Sequence, residues 1–183
     1  IDLSNASRPM RVSEAQSCKA NNVGSWRAFT VANDALTVVV NQQNNWAQCL
    51  SVAELKKIWE PGSKVNNWKD VRSSFPDVPL RLFGPGTDSG TFEYFTEAIN
   101  GRARASRTDY QASEDDNVLV QGVSGERGAM GYFGYSYFIE NQSRLNAVQI
   151  RNPKTDQCVA PNVATVHNST YKPLSRPLFI YAK

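Results

Sequence analysis

The sequence predicts an α/β fold, because segments typical of buried strands alternate with segments typical of amphipathic helices. Residues 36–41 form an apolar run rich in β-branched side chains, which favours a strand. Residues 50–59 repeat their apolar side chains at helical spacing, which favours a helix with one buried face. The short apolar run 80–83 then enters a glycine-rich turn and a second helical pattern, so strand and helix follow each other again.

The other elements continue this alternation along the chain. The predicted strands are 27–32, 36–41, 80–83, 128–134, 148–150 and 178–181. The predicted helices are 13–18, 50–59, 91–99, 113–123 and 135–141. Ser51 and Glu54 form a capping box near the start of the second helix, and Pro61-Gly62 ends it. Strands separated by helices indicate a largely parallel sheet.

The composition is that of a globular protein, and it argues against nucleic-acid binding and against a membrane span. The chain has 183 residues, of which 40% are hydrophobic and 20% charged, enough for one core or two small lobes. Its 20 basic and 17 acidic residues are interleaved, whereas nucleic-acid-binding proteins usually carry a dense basic surface. No apolar run approaches the roughly 18 residues of a membrane-spanning helix. We therefore expect neither a nucleic-acid partner nor a membrane span.

The three cysteines, Cys18, Cys49 and Cys158, are widely spaced. They have neither the CxxC pattern nor the companion histidines of a zinc site, so we expect no metal and no other cofactor. An exported protein would form one disulfide and keep one odd thiol, whereas a cytosolic protein would bury all three thiols. The cysteines by themselves leave both alternatives open.

The segment 84–91, Gly-Pro-Gly-Thr-Asp-Ser-Gly-Thr, carries the clearest chemical signal. It joins a predicted strand to a predicted helix, and its glycines allow the backbone to approach a ligand closely. The first amides of a helix have no acceptor within the helix, so they attract an anion together with the positive end of the helix dipole. Ser89 and Thr91 add hydroxyl donors on the same turn. The segment therefore predicts a site for a small anion.

Two other interpretations of this segment remain open at this point. Asp88 or Ser89 could simply cap the helix and bind nothing. The residues Thr87 to Gly90 also resemble the Gly-Asp-Ser-Gly of chymotrypsin-like proteases, which would make Ser89 a nucleophile. That chemistry needs a histidine base, which precedes the serine in those proteases. The single histidine, His167, follows Ser89 in a polar stretch typical of a surface.

Four more residues have side chains suited to an oxyanion. Ser7 and Arg8 directly precede Pro9, where a helix can begin, and a guanidinium suits multidentate oxyanion contacts. Arg107 and Asn117 follow the predicted site helix and are additional candidates. Each has a plain alternative: the two arginines as surface charges, and Asn117 as a neighbour of a helix cap.

Seven segments resemble the phosphate-binding subunit of the phosphate ABC importer, in the same order along the chain. They are Ala6-Ser7-Arg8-Pro9, 36–41, 50–62, 86–92, 113–123, 128–133 and 173–178. Together they cover nearly the whole chain, and although the Asp-Ser-Gly-Thr helix start is short, the ordered set is specific. The resemblance implies a type II periplasmic-binding-protein fold, with two α/β lobes, crossing strands as a hinge, and the ligand closed between the lobes.

The resemblance also implies that the first lobe is incomplete in this chain. The family's N-terminal lobe begins well before Ile1, with a helix start that supplies half of the phosphate contacts. Residues 1–4 read as the end of a strand without an initiator methionine, so we expect upstream sequence and give the lack of a signal peptide no weight. We assign 1–40 and 173–183 to the first lobe and 41–172 to the second.

Residue by residue, the resemblance implies that Ser89, Gly90 and Thr91 bind phosphate through their amides and hydroxyls. Better-known members have Arg-x-Asp-Gly-Ser-Gly-Thr at this place. Their arginine and aspartate fall on Pro85 and Thr87 of this chain, so both side chains are absent here.

The same members have an acidic residue where this chain has Arg8. We interpret the two departures as an exchange, in which Arg8 supplies the guanidinium and Asp88 supplies an acceptor. An acceptor is needed because phosphate at neutral pH still carries a proton, whereas sulfate carries none. Asp115 or Asp116 could serve in place of Asp88.

The predicted function is therefore that of a binding protein, not an enzyme. It would hold inorganic phosphate in a cleft between two lobes and deliver it to the permease subunits of an ABC importer. We expect it to be exported to the periplasm or cell exterior and to meet the membrane only through the permease or a lipid anchor. The alternatives are another oxyanion, sulfate or molybdate, and a serine hydrolase.

The predicted lobes also suggest a disulfide. Cys49 and Cys158 both fall in the second lobe near its hinge ends, so we predict that they pair and that Cys18 stays a thiol.

Overall fold

The computed structural model describes residues 3–23 and 25–183 of the chain. They form two compact units, the first made of residues up to Asp34 together with Ser175–Lys183, and the second of Ala35–Leu174. These boundaries differ from the predicted lobes by six residues at the first crossing (34 against 40) and two at the second (174 against 172). Residues 36–40 fall in the second unit because they pair with strands there.

The described residues of the first unit form three strands and one helix. The strands are β1 (Leu3–Ala6), the first part of β2 (Arg27–Asn41) and β10 (Ser175–Ala182), and the helix is α1 (Val12–Ala20). β1 runs antiparallel to β10, with Leu3 opposite Ala182 and Ala6 opposite Phe179. β10 also neighbours β2.

β2 is one continuous strand of 15 residues, whereas the sequence predicted two strands separated at Asn33-Asp34. The predicted break was wrong because the Asp34 carboxylate pairs with Arg176 of β10, whose Nη2 lies 3.1 Å away, instead of forming a local turn. The strand therefore contributes residues to both units.

The main sheet of the second unit is mixed. In order, it contains the second part of β2, then β6 (Ala129–Gly134), β4 (Arg81–Pro85) and β5 (Gln111–Ser113), with β7 (Leu145–Ala147) also paired to β2. β6, β4 and β5 are parallel, while β6 and β7 both run antiparallel to β2. The expectation of a largely parallel sheet was wrong, because helical crossovers relate only β4, β5 and β6 to one another and not β2 to its partners.

A second, small sheet determines where the next helix begins. It contains β3 (Cys49–Ser51), β8 (Gln149–Arg151) and β9 (Cys158–Val159), with β3 parallel to β8 and β8 antiparallel to β9. Because β3 ends at Ser51, α2 (Val52–Trp59) starts two residues later than predicted. The capping box is confirmed: Ser51 Oγ accepts the Glu54 amide at 3.2 Å, and the Glu54 carboxylate accepts the Ser51 amide at 2.9 Å.

The remaining helices are short. They are α3 (Trp68–Val71), α4 (Gly90–Asn100), α5 (Asp116–Gly125), α6 (Tyr135–Glu140) and α7 (Val163–His167). Among the described residues, no helix has the length and hydrophobicity that crossing a bilayer requires.

The core of the second unit centres on Trp59, which is fully buried. Its ring meets those of Phe95, Tyr110 and Tyr132 edge to face, with centroids 5.7, 5.5 and 5.0 Å away. Phe95 of α4 also stacks on Tyr132 of β6, with centroids 3.7 Å apart. These contacts lock α4 onto the sheet around the buried Trp59.

Cys49 and Cys158, the pair predicted from the sequence, form a disulfide with Cα atoms 6.0 Å apart, and Cys18 is a free thiol. The disulfide joins β3 to β9, the two outer strands of the small sheet. It closes a span of 109 residues, so it removes many conformations from the unfolded chain.

Replacing Cys158 by Ser should lower the free energy of unfolding by about 2–5 kcal/mol, because the unfolded chain regains that entropy. Urea denaturation without reductant measures the change. Cys18→Ser is the matched control and should leave the midpoint unchanged. Peptide mass mapping that joins Cys18 to either of the other cysteines would contradict the pairing.

Candidate functional site

Three helices begin at one edge of the main sheet in the second unit. α4 follows β4, α5 follows β5 and α6 follows β6, and these three strands are parallel neighbours. The carboxyl ends of parallel strands meet at one edge, so the N-termini of the three helices lie along that edge. Helix dipoles and unpaired amides make such an edge favourable for an anion.

The start of α4 leaves one backbone donor open. Ser89 is the N-cap, and its Oγ accepts the amides of Thr91 at 3.1 Å and Phe92 at 3.5 Å. The structure gives the Gly90 amide no acceptor among the described residues. A Cβ atom at Gly90 would meet nothing within 4 Å, so this residue borders open space. The Gly90 amide is therefore the natural donor to a ligand.

The hydrogen bonds around the loop before α4 identify the residue that caps the helix. The turn is closed by the Ser89 amide, which donates to the Gly86 carbonyl at 3.2 Å. Asp88 is exposed, and the cap is Ser89, so the alternative that Asp88 caps α4 is wrong. The Asp88 amide donates to Oε1 of Glu114 at 3.4 Å.

The start of α5 is capped by its own residues. Asp115 is the N-cap and accepts both the backbone amide of Asn117 at 2.9 Å and its side-chain amide at 3.0 Å. Asn117 is thus the cap neighbour that the sequence analysis weighed as an alternative. One of its two side-chain N–H donors is used in this contact, and Asn117 stays a predicted phosphate contact.

Carboxylates accumulate at the start of α5. Asp116 is half-buried, and this burial raises its pKa, with further contributions from the negative charges of Asp115 and Glu114. Sequence reasoning named the two aspartates but missed Glu114, the carboxylate that contacts the α4 loop. The acidic run 114–116 was the only signal in the sequence, and it does not reveal the contact.

Arg107 is a scaffold residue and not an anion contact, which corrects the prediction from sequence. Its side chain is 4% exposed. The guanidinium donates to both carboxylate oxygens of Asp109, at 2.6 and 2.8 Å, and this pairing lowers the pKa of that carboxyl. Nη1 also donates to the carbonyls of Ile58 at 3.1 Å and Val65 at 2.8 Å. Because these groups use its donors, the residue joins the end of α2 to the following loop.

The two candidates near the N-terminus lie in the first unit, between β1 and α1. Ser7 is exposed, and Arg8 is half-buried and holds Glu14 in a bidentate ion pair, at 2.9 and 2.6 Å. The hydrogen bonds from Arg8 and from the Arg11 amide lower the pKa of Glu14 to about 2. Both candidates line a cavity of about 580 Å³ within this unit. Arg8 is therefore oriented by Glu14 and is not a loosely solvated charge.

The hydrolase alternative finds no support in this geometry. Ser89 Oγ is occupied by two backbone amides. His167 is exposed at the end of α7, as expected for a surface residue, and within the described chain no hydrogen bond connects it to Ser89.

Comparisons with known proteins agree on one family. A family model described as a PBP superfamily domain matches residues 1–183. Protein SphX from Synechococcus elongatus is 48% identical over 183 residues, which cover 99% of this chain and 53% of that protein. The phosphate-binding protein PstS of Staphylococcus haemolyticus is 36% identical, covering 100% of this chain and 55% of its own length. The chain therefore spans about half the length of these relatives.

A solved structure agrees with these relatives. The crystal structure of a possible phosphate binding protein from Planctomyces limnophilus is 54% identical and superimposes with a TM-score of 0.91. The match covers all of this chain and 64% of that protein.

The structural role of Arg107 can be tested by measuring the stability of the protein and its anion affinity separately. Arg107→Ala should lower the free energy of unfolding by about 2–4 kcal/mol, because several buried acceptors lose a charged donor. Anion affinity, measured by calorimetry below the unfolding temperature, should not change. Arg102→Ala is the matched control, since it removes the same charge from an exposed position. Lower affinity for inorganic phosphate at unchanged stability would return Arg107 to the binding site.

Proposed function

This chain belongs to the PBP superfamily, and from that premise we propose that it captures inorganic phosphate at the start of α4 for delivery to an ABC importer. One observation carries the proposal: Gly90 is exposed and its amide has no acceptor among the described residues, at the edge where three parallel strands end and three helices begin. Two of its relatives, a phosphate-binding protein and a possible phosphate binding protein, support the same ligand.

The donors at this edge suit a tetrahedral oxyanion. The Gly90 amide and the Thr91 hydroxyl lie on the first turn of α4. Ser89 Oγ accepts two amides with its lone pairs, and its own hydrogen can then donate outward. These groups act together with the positive end of the helix dipole. Ser7 and Arg8 of the first unit stay predicted contacts, with Glu14 orienting the guanidinium.

We include export and transport in the proposal, and no catalysis. The helix start offers donors to an anion, and the serine that could act as a nucleophile serves as a cap. A capture protein of this kind works outside the cytoplasm and passes its ligand to permease subunits. The relatives that carry the names SphX and PstS support this role.

Deleting one backbone donor tests the proposal directly. Gly90→Pro removes the amide hydrogen at the first helical position, where proline is tolerated, and the extended backbone of Ser89 (φ −75°, ψ 131°) suits a following proline. In the whole protein, affinity for inorganic phosphate should fall by about 10- to 100-fold, as expected for a lost hydrogen bond to a charged ligand. Isothermal calorimetry measures it.

Gly90→Ala is the matched control, because it keeps the amide hydrogen and its Cβ faces open space. It should bind phosphate at least tenfold more tightly than Gly90→Pro. Equal affinities for the two variants would rule out the Gly90 amide as a phosphate donor.

The role of Asp88 in selectivity gives a second test. Phosphate at neutral pH carries a proton that a carboxylate can accept, whereas the same carboxylate repels fully ionised sulfate. If exposed Asp88 is the acceptor, Asp88→Asn should lower the preference for phosphate and raise relative sulfate binding. Competition calorimetry with both anions measures the ratio. An unchanged phosphate-to-sulfate ratio would move the acceptor role to another carboxylate.

A further inference from the structure

We propose that Glu114 is a positioning residue for the anion loop, which we define as Gly86–Ser89. This inference rests on the proposed function, because it concerns how the same helix start is presented to phosphate. Glu114, which the sequence did not identify, lies at the start of the neighbouring helix α5. Its task is to hold the anion loop in place.

The main chain on both sides of Glu114 is held in place. Ser113 ends β5 and is opposite Pro85 in the parallel pairing with β4. Ser113 Oγ accepts the Asp115 amide at 3.0 Å, and Asp115 in turn caps α5. A residue between a paired strand end and a helix cap has little freedom, so the Glu114 side chain leaves the backbone in a set direction.

That direction brings the carboxylate against the anion loop. Oε1 of Glu114 accepts the Asp88 amide at 3.4 Å. A Cβ atom built on Gly86 would overlap Oε1 and lie 2.7 Å from Cδ. The carboxylate therefore occupies the space that any side chain at position 86 would need, and the glycine and the glutamate fit each other.

Hydrogen bonds hold the chain at three points in and beside this loop. At its start, the Tyr110 hydroxyl donates to the Pro85 carbonyl at 2.8 Å. At its end, the Ser89 amide donates to the Gly86 carbonyl at 3.2 Å. Glu114 is bonded between these points, at the Asp88 amide. This loop leads directly into the Gly90 amide, so its conformation determines where that donor points.

Simple electrostatics and positioning predict opposite results when the carboxylate is removed. A negative charge beside an anion site weakens anion binding, so Coulomb interactions alone predict that Glu114→Ala tightens phosphate binding. Positioning predicts that it weakens binding, because the loop loses its hold. Glu114→Gln separates the two effects, since the amide oxygen still accepts a hydrogen bond while the charge is gone.

The experiment measures inorganic phosphate affinity by calorimetry in the whole protein. We expect Glu114→Ala to lose about five- to tenfold and Glu114→Gln to bind as tightly as the unmodified protein or more tightly. Gly86→Ala should lose a similar amount, because its methyl displaces the carboxylate. The double variant Gly86→Ala with Glu114→Ala should bind no worse than either single variant, since the overlap is gone.

Two controls match these changes. Glu140→Ala removes the same charge at the opposite end of a helix from this edge, and Gly125→Ala adds a methyl group in open space at the end of α5. Neither should alter phosphate affinity, and thermal unfolding should show that all variants fold.

Three outcomes would overturn the positioning role while leaving the proposed function intact. They are unchanged or tighter binding in Glu114→Ala, an equal loss in Glu114→Gln and Glu114→Ala, and strictly additive losses in the double variant. Failure of the unmodified protein to bind phosphate would instead reject the proposed function itself.

Discussion

The parallel pairing of β6, β4 and β5 is the constraint on which the candidate site depends. It brings the N-termini of α4, α5 and α6 to one edge of the sheet. It also requires α5 to pack closely against the sheet. A Cβ atom on Gly131 would lie 2.9 Å from both the Phe83 carbonyl oxygen and Val123 Cγ2. Gly131 is also paired with Phe83 in the sheet. Only a residue without a side chain lets α5 pack this closely over β6 and β4, so the edge and its donors follow from this packing.

Charged side chains and backbone dipoles have separate tasks in the second unit. Arg107 is buried and donates its hydrogen bonds to carbonyls and a carboxylate of the scaffold, although an arginine side chain had suggested an anion contact. In the proposed site, the donors to the anion are backbone and hydroxyl groups at the start of α4. Such donors are already ordered by the helix, so binding does not have to immobilise a long side chain. The acidic start of α5 lies beside them, where it can hold the loop.

Much of the fold could be predicted from the sequence. The α/β class was predicted correctly from hydrophobic spacing, and the type II periplasmic-binding-protein fold implied by the family resemblance is confirmed by the structural match. The errors have a common cause. The predicted break in β2 and the early start of α2 came from local patterns, whereas pairing with Arg176 and with β8 decided the outcome. Contacts with residues distant in sequence override the local preference of a segment for a strand, helix or turn.

The sequence by itself determined the features that form within one turn of chain. These include the capping box of Ser51 and Glu54 and the helix that starts after Ser89, because their hydrogen bonds join residues two or three positions apart. Only the tertiary structure decided the role of Arg107, whose carbonyl partners Ile58 and Val65 lie more than forty residues away. It also decided the contact of Glu114 with a loop 26 residues earlier. No local pattern encodes these contacts, since they join segments that are distant in sequence, and the Glu114 contact exists only where β5 lies beside β4.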